Sequence, residues 1–338
     1  MMTSGLPVVV ALVGPTGVGK TEVSLQLAEL LNAEIISADS MQIYRGMDIG
    51  TAKATPEERS RVTHHLIDIL DPGQSFSVAQ YQQLAREAIA SINVRGKLPL
   101  LVGGSGLYLR ATLYPYQFTD FRGNSAFRLS LEERAAREGS AVLHAELSRV
   151  DPLSAAKLHH NDARRIIRAL EVYHYTGRCI STQEENTRNA NLAYNTLWYG
   201  LDRERAELYS RIDRRVEEML AAGLLEEVSR VRKYWLQSES SKSIAGQALG
   251  YKELLPYLDG MEPLDSAVDR LKRESRRYAR RQLIWFRGEK RIEWFILSEG
   301  NQASEVAGMI ADRVRESLMI TASRIKEDIP QADRQHDY

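Results

Sequence analysis

Residues 14–21 carry a pattern of glycines, one lysine and one threonine that is typical of a phosphate-binding loop. The segment consists of Gly14, Pro15, Thr16, Gly17, Val18, Gly19, Lys20 and Thr21, which matches GxxxxGK[ST]. It follows an apolar, β-branched run and precedes a helical pattern, as this motif requires. Glycines let backbone N–H groups converge on an anion, Lys20 neutralises phosphate charge, and Thr21 can hold Mg²⁺. We therefore predict a polyphosphate or pyrophosphate site with Mg²⁺ as cofactor.

Two further polar side chains follow apolar runs that look like strands. Asp39 comes shortly after residues 34–37, and Ser105 comes shortly after residues 98–103. Residues just past the carboxyl ends of parallel strands face the ligand crevice, so we expect both near the phosphate loop. An ATPase motor needs a carboxylate at the end of a second apolar strand, but residues 98–103 are followed by glycines and Ser105 instead. From spacing alone, Asp39 fits three roles equally well: a helix cap, a residue that supports the Mg²⁺ ligands without binding the ion, or a catalytic acid.

The elements that must position these residues alternate between strands and helices. Strand-like runs occupy residues 7–13, 34–37, 65–70, 98–103, 196–201 and 291–297. Helical patterns begin at residue 20 and at about 105, and cover about 77–92, 203–236, 251–258, 264–288 and 302–319. Such alternation predicts the α/β class. The expected architecture is a P-loop, nucleoside-triphosphate-hydrolase-like parallel sheet flanked by helices.

The alternation is interrupted in the middle of the chain. Residues 131–178 show helical patterns alone, with one helix expected to begin after Asp162 and to stop at Gly177. We therefore expect an inserted all-helical unit. The predicted divisions are a core of residues 1–115 and 191–320 that includes the C-terminal helices, an insertion at 116–190, and a polar tail at 321–338.

Composition narrows the class of protein. The 338 residues are 43% hydrophobic and 27% charged, which fits a globular fold and excludes global disorder. The single cysteine, Cys179, excludes an internal disulfide and a cysteine-rich zinc site. The longest apolar runs are too short for a bilayer, and no basic residue precedes the first of them. We expect a cytoplasmic, monomeric protein with no membrane contact.

The net charge conceals an uneven distribution. Forty-five basic residues balance 45 acidic ones, which by itself argues against a nucleic-acid partner. Residues 270–291, however, hold ten basic and two acidic residues, a local charge of +8, with Tyr278, Trp285 and Phe286 interleaved. A second basic cluster consists of Arg164, Arg165 and Arg168. Basic helices are most often solvated surface, but two such clusters beside a phosphate loop favour RNA binding when they are taken together with the family resemblance described next.

Long motifs in this chain are similar to those of bacterial tRNA dimethylallyltransferases, also called isopentenylpyrophosphate:tRNA transferases. The resemblance runs nearly end to end through GPTGVGKT, DSMQIYRGMDIGTAK, HHLIDILDP, FSVAQY, VGGSGLYL, NDARRIIRALEVY, GYKE and RRYARRQLIWFR. Three positions depart from the family pattern: Val18 stands where Ser is usual, Ser105 where Thr is usual, and His160 where Pro is common. Ser105 keeps the hydroxyl, so the assignment is unaffected.

The resemblance implies a reaction. Such enzymes hold the pyrophosphate of dimethylallyl diphosphate in the loop and pass the C5 group to N6 of the adenine on the 3′ side of the tRNA anticodon. At the adenine end, the resemblance implies that Asp39 takes the N6 proton and that Ser105 lies beside the reacting centre. At the diphosphate end, it implies that Lys20 and Mg²⁺ on Thr21 stabilise the leaving pyrophosphate. It also places Arg215 on the pyrophosphate, although Arg211 and Arg214 fit equally well on chemistry.

The resemblance also implies where the anticodon stem-loop is bound. The adenine must be turned out of its stack, and the segment from Asp39 to Gln42 is expected to meet it. The anticodon stem is expected to lie between the inserted unit and the core. The predicted tRNA-binding set is Asp39, Ser40, Met41, Gln42, Ser105, Arg128, Arg164, Arg165, Arg168, Arg277, Arg280 and Arg281.

Three other functions compete with this interpretation. A P-loop kinase acting on a nucleotide or small hydroxyl compound explains the loop and an arginine-rich unit, but not the long match at residues 39–53. An adenylate isopentenyltransferase would use the same chemistry on a free nucleotide, and the basic helices favour polymeric RNA over it. A non-enzymatic RNA-binding switch predicts tRNA binding without any product.

Overall fold

A computed structural model describes residues 6–116, 118, 125–182, 191–237, 245–298 and 302–327. Contacts divide the chain into two units, one made of Met1–Leu113 with Ala193–Tyr338 and the other of Tyr114–Leu192. No helix in the described ranges is both long and apolar enough to cross a bilayer.

The first unit is built on a parallel sheet. Its strands are β1 (Val8–Val13), β2 (Ala33–Ser37), β3 (His64–His65), β4 (Leu98–Gly103), β5 (Asn195–Arg203) and β6 (Glu293–Leu297). Among the described residues the sheet has the order β3-β2-β4-β1-β5-β6, and every pair is parallel. β1 is fully buried from Val9 to Val13, as its continuous apolar run predicts. The parallel α/β class expected from the sequence is confirmed.

Helices flank this sheet. They are α1 (Lys20–Leu31), α2 (Pro56–Arg61), α3 (Val78–Val94), α4 (Gly106–Leu113), α9 (Arg205–Ala221), α10 (Leu224–Gln237), α11 (Leu255–Leu258), α12 (Leu264–Arg287) and α13 (Ala303–Glu327). α1 begins where Gly19 leaves a left-handed conformation (φ 110°) and ends at Asn32, also left-handed (φ 49°). α13 continues to Glu327, beyond the predicted start of the tail at residue 321; residues 328–338 lie outside the described part of the chain.

The second unit is helical where it is described. It contains α5 (Ser125–Glu138), α6 (Ser140–Val150), α7 (Pro152–Lys157) and α8 (Ala163–Thr176) around a core of Leu131, Leu143, Leu147, Ile166 and Leu170. α8 begins and ends as its sequence predicts. The Asp162 side chain accepts a hydrogen bond from the N–H of Arg165, and Gly177 adopts the left-handed conformation (φ 65°) that terminates it.

Two local predictions are wrong. Residues 65–70 do not form a strand beyond His65, because Leu66 (φ 62°) and Asp68 (φ 57°) are left-handed and break the extended run. Residues 251–254 form turns, so the helix expected at 251–258 is reduced to α11. The helical pattern at 203–236 divides into α9 and α10 around Gly223, whose φ of 97° no continuous helix permits.

Candidate functional site

A cavity of about 230 Å³ opens at the carboxyl ends of β1, β2 and β4. This is the edge at which parallel sheets bind ligands. Residues from five parts of the first unit line it, among them Thr16, Gly17, Gly19, Lys20, Thr21, Asp39, Gln42, Gly103, Arg211, Arg214, Arg215, Tyr278 and Gln282. The structure therefore brings together the phosphate loop, Asp39 and all three candidate arginines. Ser105 lies next to this group, since its Oγ accepts a hydrogen bond from the Ser40 N–H at 3.2 Å.

The phosphate loop has the backbone that its glycines predict. Gly17 (φ 78°) and Gly19 (φ 110°) are left-handed, and a Cβ on Gly14 would lie 2.7 Å from the Leu201 carbonyl oxygen. The Lys20 ammonium donates to the carbonyl oxygens of Gly14 (2.9 Å) and Pro15 (2.8 Å), so it lies across the loop. Val18, which departs from the family pattern, is fully buried and packs into the core instead of facing the cavity.

Charges at the cavity act on one another. Burial, together with the positive charge of Arg215, lowers the pKa of Lys20 to about 8, while the Asp39 carboxylate opposes this change. Burial also lowers the pKa of Arg215, again against the influence of Asp39. Two cations and one carboxylate thus share one partly desolvated space. Such a space favours a ligand that brings additional negative charge.

Asp39 belongs to a turn that follows β2. Its Oδ1 accepts a hydrogen bond from the N–H of Met41 (2.9 Å), and the next helix along this described stretch is α2, which Thr55 caps. The interpretation of Asp39 as a helix cap is therefore wrong. Its Oδ2 has no protein hydrogen bond among the residues described, and the side chain lines the cavity. A carboxylate oxygen is accordingly available to accept a proton from a ligand.

The three arginines of α9 differ in their contacts. Arg214 is exposed and lies 3.7 Å from Glu218, and the Nε of Arg211 donates to the Gly17 carbonyl oxygen at 3.2 Å. Arg215 is half-buried and forms no ion pair within the described ranges. A half-buried guanidinium without a protein anion fits an anionic ligand best. Of the three, Arg215 is therefore the best placed for an anionic ligand, whereas Arg211 supports the loop.

The site also fits a magnesium ion that is held chiefly by its substrate. The described residues contain no group of three His, Cys, Asp or Glu side chains able to hold a metal. The Thr21 hydroxyl and the Asp39 carboxylate do line one cavity. Mg²⁺ keeps several waters and takes few protein ligands when substrate phosphates supply the others. The donor set suits such an ion and not a permanently bound metal centre.

Local patterns did not reveal several residues that build this site. Tyr278 and Gln282 of α12 line the cavity from a helix that the sequence indicated as a basic, aromatic RNA-binding segment and not as part of the phosphate site. Glu227 is buried and accepts from the N–H groups of Asp48, Ile49 and Gly50, each at 2.9 Å. Its Oε1 also accepts from the Tyr251 hydroxyl at 2.6 Å. The available signals were two family motifs: GYKE contains Tyr251, and RRYARRQLIWFR contains Tyr278 and Gln282.

Lys53 fixes the same loop from its other end. Its side chain is buried, and its ammonium donates to the Tyr44 carbonyl oxygen at 2.8 Å and to the Asp48 carboxylate. It also pairs with Asp68 at 2.6 Å, and Arg59 donates to the same carboxylate. The long DSMQIYRGMDIGTAK motif is therefore largely a scaffold. It holds the turn that carries Asp39 in one conformation.

The basic segment predicted at residues 270–291 is only partly available for RNA. Four of its basic residues pair with acids from elsewhere in the fold: Arg270 with Glu262, Lys272 with Glu217, Arg276 with Asp213 and Arg287 with Asp202. Arg277 pairs with Glu274 of the same helix. Phe286, one of the three interleaved aromatic residues, is fully buried and therefore cannot stack on a base. Arg280 and Arg281 are exposed, Arg281 lies over the Tyr278 ring at 5.7 Å, and Trp285 is 38% exposed.

The predicted RNA-binding arginines of the second unit also divide into two kinds. Arg128 forms a bidentate ion pair with the buried Glu171. Its Nε donates to Oε1 at 3.0 Å, and its Nη2 donates to Oε2 at 2.5 Å. Arg168 lies 3.8 Å from the same carboxylate. Arg165 lies 3.5 Å from Asp162, whereas Arg164 is exposed and has no ion pair among the described residues. Arg128 therefore has a structural role within this unit.

Comparisons with known proteins agree with the geometry. The IPP transferase family model matches residues 42–289. A tRNA dimethylallyltransferase from Carboxydothermus hydrogenoformans is 52% identical over 286 residues, which cover 85% of this chain and 91% of that protein. A tRNA dimethylallyltransferase from Bacillus subtilis is 53% identical over 287 residues, covering 85% of this chain and 90% of its own length.

Solved structures give the same result. The crystal structure of the full-length tRNA isopentenylpyrophosphate transferase from Bacillus halodurans is 43% identical, with a TM-score of 0.67, and the match covers 94% of this chain and 100% of that one. A eukaryotic dimethylallyltransferase described as acting on tRNA is 29% identical, with a TM-score of 0.75 over 97% of this chain and 82% of its own. The family model covers residues 42–289, and these relatives cover most of the sequence. The chain belongs to the IPP transferase family.

Proposed function

We propose that this protein transfers a dimethylallyl group from dimethylallyl diphosphate to N6 of the adenine on the 3′ side of a tRNA anticodon, releasing pyrophosphate. One observation carries the proposal: the phosphate loop, the unpaired Arg215 and the free oxygen of Asp39, all among the described residues, line the same cavity. An anion-binding surface and a proton acceptor in one cavity are what this transfer needs. The names of the relatives, tRNA dimethylallyltransferases, agree with it.

The diphosphate end of the reaction is assigned to the loop. As the C–O bond to the diphosphate breaks, the leaving pyrophosphate takes the electron pair and gains negative charge. The loop amides, Lys20 and Arg215 stabilise that charge. Mg²⁺, held by Thr21 and by the substrate's own oxygens, supplies further charge neutralisation when it is bound.

The adenine end of the reaction is assigned to Asp39 and Ser105. The exocyclic N6 is a poor nucleophile because its lone pair is delocalised into the ring. As the N6–C bond forms, one N6 proton passes to Asp39, whose Oδ2 is free of protein hydrogen bonds among the described residues. Ser105 accepts from Ser40 and so keeps its hydroxyl next to the turn of Asp39.

The tRNA contacts are assigned separately in each unit. In the first unit, the turned-out adenine is bound by the segment from Asp39 to Gln42, with Arg280, Arg281 and the exposed Trp285 supplying phosphate and stacking contacts. In the second unit, Arg164 is the strongest candidate for a phosphate contact, since it is exposed and unpaired within the described residues. Monomeric state and cytoplasmic location stay predictions.

A product assay tests the proposal directly. The protein is incubated with unmodified tRNA, dimethylallyl diphosphate and Mg²⁺, and the digested nucleosides are examined by mass spectrometry. We expect adenosine to gain one C5 unit and pyrophosphate to be released in equal amount. Phosphate transfer from ATP without any C5 gain would favour a kinase instead. Prenylation of free AMP in preference to tRNA would favour a nucleotide prenyltransferase, and tRNA binding without product would favour a binding module.

A further inference from the structure

A single buried amide joins two loops of the site. Gln282 of α12 is 6% exposed, and its Oε1 accepts a hydrogen bond from the N–H of Thr16, in the phosphate loop, at 2.8 Å. Its Nε2 donates to the carbonyl oxygen of Gly104, just after β4, at 3.1 Å. The phosphate loop and the loop that carries Ser105 are thus connected through one side chain. Both partners are backbone groups, so the link fixes the backbone of each loop.

Only an amide satisfies both contacts. Thr16 presents a donor and Gly104 presents an acceptor, and glutamine offers one acceptor and one donor on the same carbon. A carboxylate at this position would face the Gly104 carbonyl oxygen, and an aliphatic side chain would leave two buried backbone groups unpaired. The fit is also steric: a Cβ on Gly104 would lie 2.1 Å from the Gln282 Nε2. The glycine is therefore required for the amide to approach.

The link continues toward the reacting groups. One turn earlier on α12, Tyr278 lines the same cavity as Gln282 and Asp39. Ser105 directly follows Gly104, and its Oγ accepts from the N–H of Ser40, which is adjacent to Asp39. Gln282 thus contacts the phosphate loop on one side and the residue next to Ser105 on the other.

We propose that Gln282 is a positioning residue, which holds the diphosphate loop in register with the Ser105 loop so that the leaving group and the attacking amine are correctly placed. This inference rests on the proposed function, because register between these loops matters only if both ends of one transfer reaction use them. Both polar atoms of the Gln282 amide are engaged by backbone groups. Its contribution to the rate comes from orientation.

Steady-state kinetics of Gln282→Met test the role. Methionine keeps the length and the buried volume but offers neither hydrogen bond. We expect kcat to fall by up to about 100-fold, the loss typical of a displaced catalytic geometry, with KM for tRNA unchanged. Gln83→Met is the matched control, since Gln83 is exposed and bonds Glu87 on its own helix, and it should behave as the wild type. A wild-type kcat in Gln282→Met would overturn the inference.

A double-mutant cycle separates positioning from general damage. If Gln282 acts through the Ser105 loop, Ser105→Ala should reduce kcat less in the Gln282→Met background than in the wild type. Fully additive losses would mean that the two residues act independently, which would overturn the inference. Should thermal unfolding show that Gln282→Met has lost its fold, Gln282→Glu serves in the same cycle. Its carboxylate keeps the acceptor for Thr16 and removes the donor for Gly104.

Hydrogen exchange tests the bridge without any reaction. In Gln282→Met we expect peptides covering residues 14–20 and 103–109 to exchange together, roughly fivefold or more faster than in the wild type, because each segment has one hydrogen bond fewer. Gln83→Met should change neither segment. Acceleration of one segment alone would refute the link. This measurement also distinguishes a failed bridge from a failed function, since it applies even if the wild type makes no product.

Discussion

The lowered pKa of Lys20 predicts how the enzyme should respond to pH. In the free protein, burial and Arg215 bring the pKa of this ammonium to about 8, within the range of ordinary assays. Only the protonated form can neutralise a diphosphate. Because the pKa is lowered, the charged form is complete below about pH 7 and is lost as the pH rises through 8.

The size of the effect follows from the titration. With a pKa of about 8, about nine-tenths of Lys20 is charged at pH 7 and about one-tenth at pH 9. If the charged form alone binds productively, kcat/KM for dimethylallyl diphosphate falls about tenfold over this interval, since that ratio reports the enzyme before dimethylallyl diphosphate binds. The bound diphosphate favours the ammonium, so kcat measured at saturation should fall at a higher pH than kcat/KM does.

The assay is a set of initial rates between about pH 6.5 and 9.5, on either side of the Lys20 pKa, with saturating tRNA and varied dimethylallyl diphosphate. Lys20→Arg is the control: its guanidinium stays charged throughout this range, so its kcat/KM should be lower overall yet nearly flat. The reasoning is refuted if the wild-type kcat/KM is flat to pH 9. It is also refuted if Lys20→Arg shows the same decline, because the titrating group would then lie elsewhere.

Three further perturbations follow from the contacts. Asp39→Ala should lower kcat by about 10²- to 10⁴-fold and leave tRNA affinity largely intact in a filter-binding assay; retained turnover would remove Asp39 as the proton acceptor. Replacing both Arg164 and Arg168 by Glu should weaken tRNA binding. The slope of the logarithm of the binding constant against the logarithm of salt concentration should fall by about 1 for each phosphate that is no longer bound. An unchanged slope would exclude these two arginines from the tRNA interface. Glu227→Ala leaves the backbone N–H groups of residues 48–50 without their acceptor. The free energy of unfolding, measured by urea titration, should therefore fall by at least about 2 kcal/mol. An unchanged urea midpoint would contradict the role of the carboxylate in holding the loop at residues 48–50.

Features encoded in short stretches of sequence were predictable. The strand at Leu98–Gly103 was located at its observed bounds, and the phosphate loop was recognised because its glycines, lysine and context are local. The approach of Asp39 to that loop followed from one rule about parallel sheets. The strand predicted at residues 65–70 was wrong although the run is rich in apolar residues. Lys53 and Arg59 pair with Asp68, which has a left-handed backbone conformation that a strand does not allow.

Features that depend on distant residues were not predictable. Gln282 contacts Thr16 across 266 positions, and although each lies in a recognisable motif, neither motif indicates that the two residues meet. The charge of +8 was counted from residues 270–291 alone and left out acidic residues that fold against this segment. Asp213 pairs with Arg276 from 63 positions away, and Glu217 pairs with Lys272 from 55 positions away. A count along one segment measures the charge of that segment alone. What RNA encounters is the charge left after tertiary pairing.

The sheet order has a consequence for how the chain is made. β1 lies between β4 and β5, and its pairing with β5 joins Val8 to Asn195 and Val13 to Gly200. A ribosome adding about 5–20 residues per second therefore needs roughly 9 to 36 s to supply β5 once β1 is complete. During that time one edge of the most apolar strand is unpaired, and such an edge is a template for association with other chains. Chaperone dependence during synthesis, and aggregation of fragments that end before residue 195, are the expected consequences of inserting the helical unit in the chain between β4 and β5.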